Sequence, residues 1–255
     1  MTHHRLRIAT YLIATCAALA GPAAILAQNA EGLAPVLAAF SSAPGTQPPA
    51  PWRAVGLPQD KAPLARITLA EVDGTRVAQL ATDRSYGTLV HDIRPWVPGP
   101  QATLAWRWRL DQPLQAADLR RKDGDDVALK LCVMFDLPLD ALPLGERAVL
   151  RLARAVSGEK LPAATLCYVW DPALAPGTVL PNAYSRRVRF MVADGLGSAT
   201  GQWQNHQRTL AADFLRAFGD EARQLPPAIA VVIGADADNT AGRSLGYIGD
   251  LKITP

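Results

Sequence analysis

The chain has 255 residues, 26 of them lysine or arginine and 23 aspartate or glutamate, for a formal charge of +3. Arg5 and Arg7 lie in the first 27 residues, which contain no acidic residue, so the remainder carries 24 basic against 23 acidic groups. Nucleic-acid affinity rests on clustered phosphate-neutralising charge, and this near neutrality argues against a nucleic-acid partner.

Arg5 and Arg7 precede an apolar run from Ile8 to Ala20 that ends at Gly21-Pro22. The run is shorter than the ~20 apolar residues that span a bilayer. A charged start, a short apolar middle and small residues near Ala27-Gln28 predict a cleavable secretory signal over residues 1–27, and so a periplasmic or secreted protein. A retained anchor is the rival reading, but no second apolar stretch follows, and no transmembrane segment is expected after cleavage. Ile13-Ala14-Thr15-Cys16 makes a poor lipoprotein box, because threonine precedes the cysteine and more apolar sequence follows it.

Residues 28–60 are rich in alanine and proline, with Pro44, Pro48, Pro49, Pro51 and Pro58. Proline fixes φ and removes a donor, so this stretch reads as an extended lead-in with a short helix at Leu33 to Phe40. A single domain is expected over residues 61–255. Its first two strands, Arg66 to Val72 and Thr75 to Ala81, flank Asp73-Gly74, a dipeptide suited to the positive φ angles of a tight hairpin. Further strands are predicted at Gly87 to Ile93, Ala102 to Leu110, Asp126 to Asp136, Thr165 to Asp171, Arg186 to Val192, Gly201 to Gln207, Ala228 to Gly234 and Ser244 to Ile253. Many strands and few helices predict a mainly β protein, an antiparallel, jelly-roll-like β-sandwich with two short helices.

One helix is expected over Leu144 to Val156, with Val149, Leu152 and Val156 on one face and Arg147, Arg151 and Arg154 opposite. Its basic face is expected to be solvated. The other repeats Leu210, Phe214 and Phe218 before Gly219, a C-cap residue. Both should cover an end or edge of the sandwich.

Side chains two apart share a face of a strand. Trp106, Trp108 and Leu110 therefore lie together and read as core, while Arg107 and Arg109 point the other way. Those arginines either line a concave surface that fixes carboxylates or hydroxyls or form a solvated outer face. In the strand from Asp126 to Asp136, Val127, Leu129, Leu131, Val133 and Phe135 share a face, and Cys132 and Met134 make its middle apolar on both sides. That strand should be central. Cys132 and Cys167 each sit in an apolar strand of a chain bound for an oxidising compartment, and pairing and separate burial both remain open.

Oxygen-bearing side chains gather in two places. Asp125 and Asp126 stand at the entrance of the central strand, where carboxylates suit a cation or a sugar hydroxyl but also an ordinary turn. Asp236, Asp238 and Asn239 follow the strand from Ala228 and offer the hard oxygens that calcium prefers. Tyr247 and Asp250 lie close by in sequence. The spacing falls short of a full calcium loop, so Asp250 or backbone carbonyls would have to complete it, and a hydrogen-bonded turn is the alternative. Among catalytic patterns, neither a Gly-x-Ser-x-Gly elbow nor a His-Glu-x-x-His motif occurs. His206 reads as a structural hydrogen-bonding residue rather than a general base.

Several blocks in order resemble a known family, the bacterial domain of unknown function numbered 3047. They are Leu104-Ala105-Trp106-Arg107-Trp108, then Asp125-Asp126 opening an apolar strand, then Tyr168-Val169-Trp170 and Ala212-Asp213-Phe214 with Phe218-Gly219. Asp236-Ala237-Asp238-Asn239-Thr240 and Tyr247-Ile248-Gly249-Asp250 complete the set, which spans about Pro63 to Thr254. The resemblance implies an exported β-sandwich and carries no established activity. Cys132 and Cys167 are not demanded by the family pattern, so a bridge between them would be particular to this chain.

Three functions fit this reading. The first is a non-catalytic binding module for a carbohydrate or envelope component, with Arg107, Arg109, Asp125, Asp126, Tyr247 and Asp250 as ligand-binding residues and calcium at Asp236, Asp238 and Asn239. The second is a glycan-active hydrolase or lyase that pairs Asp125 or Asp126 with Asp236, Asp238 or Asp250. The third is a purely structural envelope protein. Convergence of these side chains on one concavity would keep the first two readings alive.

Overall fold

Two β-sheets pack face to face over a shared apolar interior. The computed structural model describes residues 32–157 and 161–255, so the expected signal segment lies outside the described residues. Leu33–Pro255 form one compact unit. In chain order its elements are β1 (Arg53–Val55), β2 (Arg66–Val72), β3 (Thr75–Asp83), β4 (Tyr86–Trp96), β5 (Thr103–Gln112) and β6 (Val127–Phe135). Helix α1 (Leu144–Ser157) precedes β7 (Ala164–Trp170), β8 (Val179–Pro181), β9 (Val188–Asp194) and β10 (Trp203–Thr209). Then come α2 (Leu210–Phe218), β11 (Ala228–Asp236), β12 (Arg243–Ile248) and β13 (Lys252–Thr254).

One sheet has seven strands in the order β1-β4-β11-β6-β7-β9-β8; the other has six, with β10-β5-β12-β3-β2 in line and β13 continuing β12 along β5. The expected antiparallel sandwich is present, with one departure. After β7 the chain crosses to the sheet edge, lays down β8, and folds back as β9, which runs parallel to β7. The predicted final strand is interrupted at Gly249-Asp250, although Gly249 N–H still donates to the Arg107 carbonyl at 2.9 Å. Asp73 and Gly74 take φ of 51° and 71°, the positive pair a two-residue hairpin requires.

Alternation places Leu104, Trp106, Trp108 and Leu110 of β5 in the interior, against Leu129, Leu131, Val133 and Phe135 of β6. Each such side chain contributes about 1.5–3 kcal/mol by leaving water. At Gly246 an added Cβ would come within 2.6 Å of Leu129 Cδ2, so a residue without one lets the two sheets meet there. His206 lies 2.6 Å from the Asp194 carboxylate, which also accepts Trp108 Nε1–H at 2.6 Å. Helix α2 closes one part of the sandwich, with Leu210, Phe214 and Phe218 buried and Tyr168 O–H donating to Asp213 at 2.9 Å.

The Leu33 to Phe40 segment is not helical. Pro35 lacks a donor and pushes Ala34 to extended geometry, and side chains take the backbone groups a helix would have used. Ala38 N–H donates to His91 Nε2 at 3.1 Å, and Trp52 Nε1–H to the Ala38 carbonyl at 2.8 Å. Leu37, Phe40, Ala43 and Trp52 join the core, so packing begins well before Lys61.

Helix α1 also departs from expectation. Val149 is 69% exposed and Leu152 66%, while Leu150 is buried. The arginine side turns toward the chain instead: Arg147 donates to the Asp140 and Leu142 carbonyls at 2.9 and 3.1 Å, and Arg154 to the Leu161 carbonyl at 2.8 Å. Arg147, Leu150 and Arg154 thus share the inward side, while Arg151 of the basic face stays exposed.

Candidate functional site

The outer face of the seven-stranded sheet, the one turned away from the sandwich interior, carries a cavity of about 1140 Å³. Its floor comes from alternate residues of adjacent strands, among them Tyr86 of β4, Lys130 and Cys132 of β6, Cys167 of β7 and Val232 and Asp236 of β11. A segment around Val55 to Lys61 contributes to one part of its rim, and α1 with the residues around Asn182 to Val188 to another.

A bulge builds the polar end. In the β6–β11 ladder Gly234 opposes Lys130 but Asp236 opposes Val127, so Ala128 and Leu129 together face Ala235. Both of those side chains enter the interior, the alternation slips, and Val127 emerges in the outer-face cluster with Cys132 and Val232. An extra residue of this kind re-aims the side chains beside it. Asp125 and Asp126, which precede the bulge, part company.

Asp125 faces the cavity and is 8% exposed. Its Oδ2 accepts Asn182 Nδ2–H at 2.5 Å, while Oδ1 is buried with no hydrogen-bond partner among the described residues. Asn182 is itself aimed, because its Oδ1 accepts the Tyr184 and Ser185 N–H groups at 2.9 and 3.0 Å. Burial pushes the Asp125 carboxyl up to about 6, against the opposing pull of the Asn182 hydrogen bond.

Beside it, Lys130 Nζ lies 2.6 Å from Asp236 Oδ2 and 4.4 Å from the centroid of the Tyr86 ring. Asp236 Oδ1 accepts Val127 N–H. Burial works against the Lys130 charge, but the Asp236 carboxylate outweighs it and holds the ammonium above its ordinary range. One cavity end thus holds a fixed ammonium–carboxylate pair, a phenol ring and a carboxyl poised near pH 6. Such groups bind hydroxyls and move protons.

The sequence-predicted residues divide between two faces. Asp125, Asp236, Asp238 and Asn239 line this cavity. Asp126 does not: it is 1% exposed and its carboxylate accepts Asn239 N–H at 3.0 Å, Thr240 N–H at 2.7 Å and the Thr240 hydroxyl at 2.5 Å. It pins a loop. Arg107, Arg109 and Tyr247 occupy the outer face of the six-stranded sheet, away from the cavity. The Arg107 guanidinium stacks 4.5 Å from the Trp203 ring centroid, and Arg109, in register with Tyr247, is held by Asp111 at 2.6 Å. Asp250 accepts Phe40 N–H, Ser41 N–H and the Ser41 hydroxyl at 2.6, 3.0 and 2.5 Å, and anchors the N-terminal segment.

Two of the three residues expected to hold calcium have partners within the protein. Asp236 is committed to Lys130 and Val127, and Asn239 spends its amide on the Asp125 carbonyl and the Asp126 carboxylate. Among the described residues no group of three or more His, Cys, Asp or Glu is arranged to hold a metal ion. Asp236 thus takes part in an ion pair and Asn239 in a loop contact.

Tyr86, Lys130, Asn182 and Tyr184 were not legible as site residues. Lys130 alone had a signal, as the one charged residue within the apolar run Val127 to Phe135. Cys132 and Cys167 face each other in register and are joined in a disulfide on the cavity floor.

Fold and cavity define a β-sandwich protein with a ligand-sized pocket on one outer face. The chain belongs to the family described as "Protein of unknown function (DUF3047)", whose model matches residues 50–252. No curated protein matches the sequence. Among solved structures, TmCBM61 in complex with β-1,4-galactotriose aligns with TM-score 0.34 and 10% identity over 80% of this chain and 88% of that one. The xyloglucanase domain of NopAA from Sinorhizobium fredii, in complex with cellobiose, aligns with TM-score 0.39 and 9% identity over 80% and 92%. The family 11 xylanase from Neocallimastix patriciarum aligns with TM-score 0.33 and 10% identity over 74% and 86%. Likeness of this degree assigns this chain neither a ligand nor a reaction.

Proposed function

We propose that this is an exported binding protein whose ligand docks on the outer face of the seven-stranded sheet and presents hydroxyl groups, as a carbohydrate does, to the polar end of the cavity. The observation that carries this reading is the Asp125 carboxyl, which lines a cavity large enough for a ligand, is tied there to Asn182, and has a second oxygen without a hydrogen-bond partner among the described residues. Lys130, Asp236 and Asn182 stand beside it as donors and acceptors, and Tyr86 and Tyr184 offer ring faces. Export is supported by the N-terminal sequence and agrees with the disulfide.

The test is a thermal-shift and calorimetric screen of the purified protein against a glycan panel, since a ligand of the native state raises its melting point. Asp125→Asn should weaken the best glycan about 10- to 100-fold, as expected for a hydrogen bond to a charged group. Arg109→Ala, on the opposite face, should leave affinity unchanged. A panel without any shift, or equal affinity in Asp125→Asn, would contradict the proposal.

A second reading has its own observation. Burial pushes the Asp125 carboxyl up to about 6 while Asp236 is paired with an ammonium, so one cavity contains two carboxyl groups in unlike surroundings. Such a difference underlies the division of labour between acid and base in glycan cleavage. Turnover of a glycan, lost in both Asp125→Asn and Asp236→Asn with folding retained, would establish it.

A further inference from the structure

We infer that the ligand is an amphiphile, a saccharide head carrying an alkyl or acyl chain, with the head at Asp125 and the chain along the apolar floor beneath α1. This rests on the binding reading above and extends it to a second part of the same cavity.

The cavity's two ends differ in chemistry. Beyond Lys130 and Asp236 the floor continues as the Cys132–Cys167 disulfide with Val232, Phe190 and Met134. These side chains offer sulfur and hydrocarbon, surroundings that suit a hydrocarbon chain, although Thr165, Glu146, Arg186 and Arg187 also line the cavity. At about 1140 Å³ the space also exceeds the roughly 300–1,000 Å³ of ordinary small-ligand pockets. A sugar alone would leave much of it unused.

Helix α1 supplies an independent observation. A surface helix ordinarily turns its apolar stripe inward, yet here Arg147 and Arg154 bond to chain carbonyls while Val149 and Leu152 stay exposed. Val149, with Ala153 and Leu150, lines the cavity. Of the exposed residues, Val149 therefore borders the floor, and a chain laid along the cavity would cover it. At the far end Asp125, Lys130, Asp236 and Asn182 line the cavity, and such groups suit a hydroxyl rather than more hydrocarbon. Each end is suited to one half of the same molecule.

The experiment titrates the purified full chain with n-octyl-β-D-maltoside, n-dodecyl-β-D-maltoside, maltose and dodecanoate, each below its micellar concentration, by calorimetry. A fully buried methylene is worth about fourfold in affinity, so the dodecyl maltoside should bind at least about tenfold tighter than the octyl one, and both tighter than maltose or dodecanoate. Val149→Asp, at an exposed position that folding does not depend on, should abolish the chain-length gain. Asp125→Asn should weaken both maltosides and keep that gain.

Equal binding of the two maltosides, or binding of neither, overturns the inference. If glycans from the panel bind through Asp125 while chain length has no effect, the amphiphile falls and the carbohydrate reading stands. If dodecanoate matches dodecyl maltoside and Asp125→Asn changes nothing, both fall together.

Discussion

Lys130 and Asp236 form a buried ion pair, Nζ to Oδ2 2.6 Å, between strands β6 and β11 on the outer face of the seven-stranded sheet. Their side chains are 9% and 11% exposed. The pair sits at the bulge that turns Asp125 toward the cavity and Asp126 away from it, so a charge interaction, a break in register and the candidate site share one location. Taking two charges out of water is costly, and breaking a buried pair costs more than replacing it.

Lys130→Met should therefore destabilise the protein by about 3–5 kcal/mol at neutral pH, because Asp236 keeps a buried charge without its partner. The double variant Lys130→Met with Asp236→Leu should recover most of that loss. Urea unfolding of the four proteins in the cycle measures the coupling, and simple additivity would contradict it.

Asp125 predicts a pH dependence of the opposite sign to the usual salt-bridged carboxylate. Its folded value of about 6 lies above the ordinary 3.8, so the folded state binds the proton more tightly. The stability this brings is fully present below about pH 4 and is lost as pH rises through 6. Asp125→Asn escapes that loss and should gain about 2–3 kcal/mol relative to the parent between pH 4 and pH 8. Urea midpoints across that range check it, and carboxyl NMR gives the titration directly.

Asp126 should behave differently from its neighbour. Asp126→Ala leaves the Asn239 and Thr240 amides and the Thr240 hydroxyl without their acceptor in a buried loop. A loss of about 3–5 kcal/mol is expected. If chemical denaturation shows under 1 kcal/mol, Asp126 is not the pin the geometry indicates.

The Cys132–Cys167 disulfide closes a loop with sequence separation 35. Constraint of the unfolded chain by a loop of this size is worth about 2–4 kcal/mol. Reduction, or the pair Cys132→Ala and Cys167→Ala, should lower stability by that amount; an unchanged urea midpoint under reducing conditions would show that the bridge contributes nothing.

The turn dipeptide revealed the hairpin at Asp73-Gly74, and strand period the tryptophan stripe of β5 and the central place of β6. Short β1 and β8 escaped notice because three residues cannot display a period. The Leu33 to Phe40 helix was misread because its backbone partners, His91 and Trp52, lie elsewhere in the chain. In α1, periodicity separated apolar from basic residues correctly. Arg147 and Arg154 turn inward, to the carbonyls of Asp140, Leu142 and Leu161. At the site, alternation sets Asp125 and Asp126 on opposite faces, and a bulge set by strand pairing decides which of them meets the cavity.

Alternating apolar residues and turn dipeptides were enough to establish a two-sheet sandwich, since local sterics and burial act along the chain. Register, bulge and cross-strand partners lie between strands far apart in sequence. Those long-range pairings set Asp236 against Lys130, freed one oxygen of Asp125, sent Arg107 and Arg109 to the opposite face, and joined Cys132 to Cys167. Only the packed sheets could decide where the oxygen-bearing side chains point, because each direction depends on which strand lies alongside.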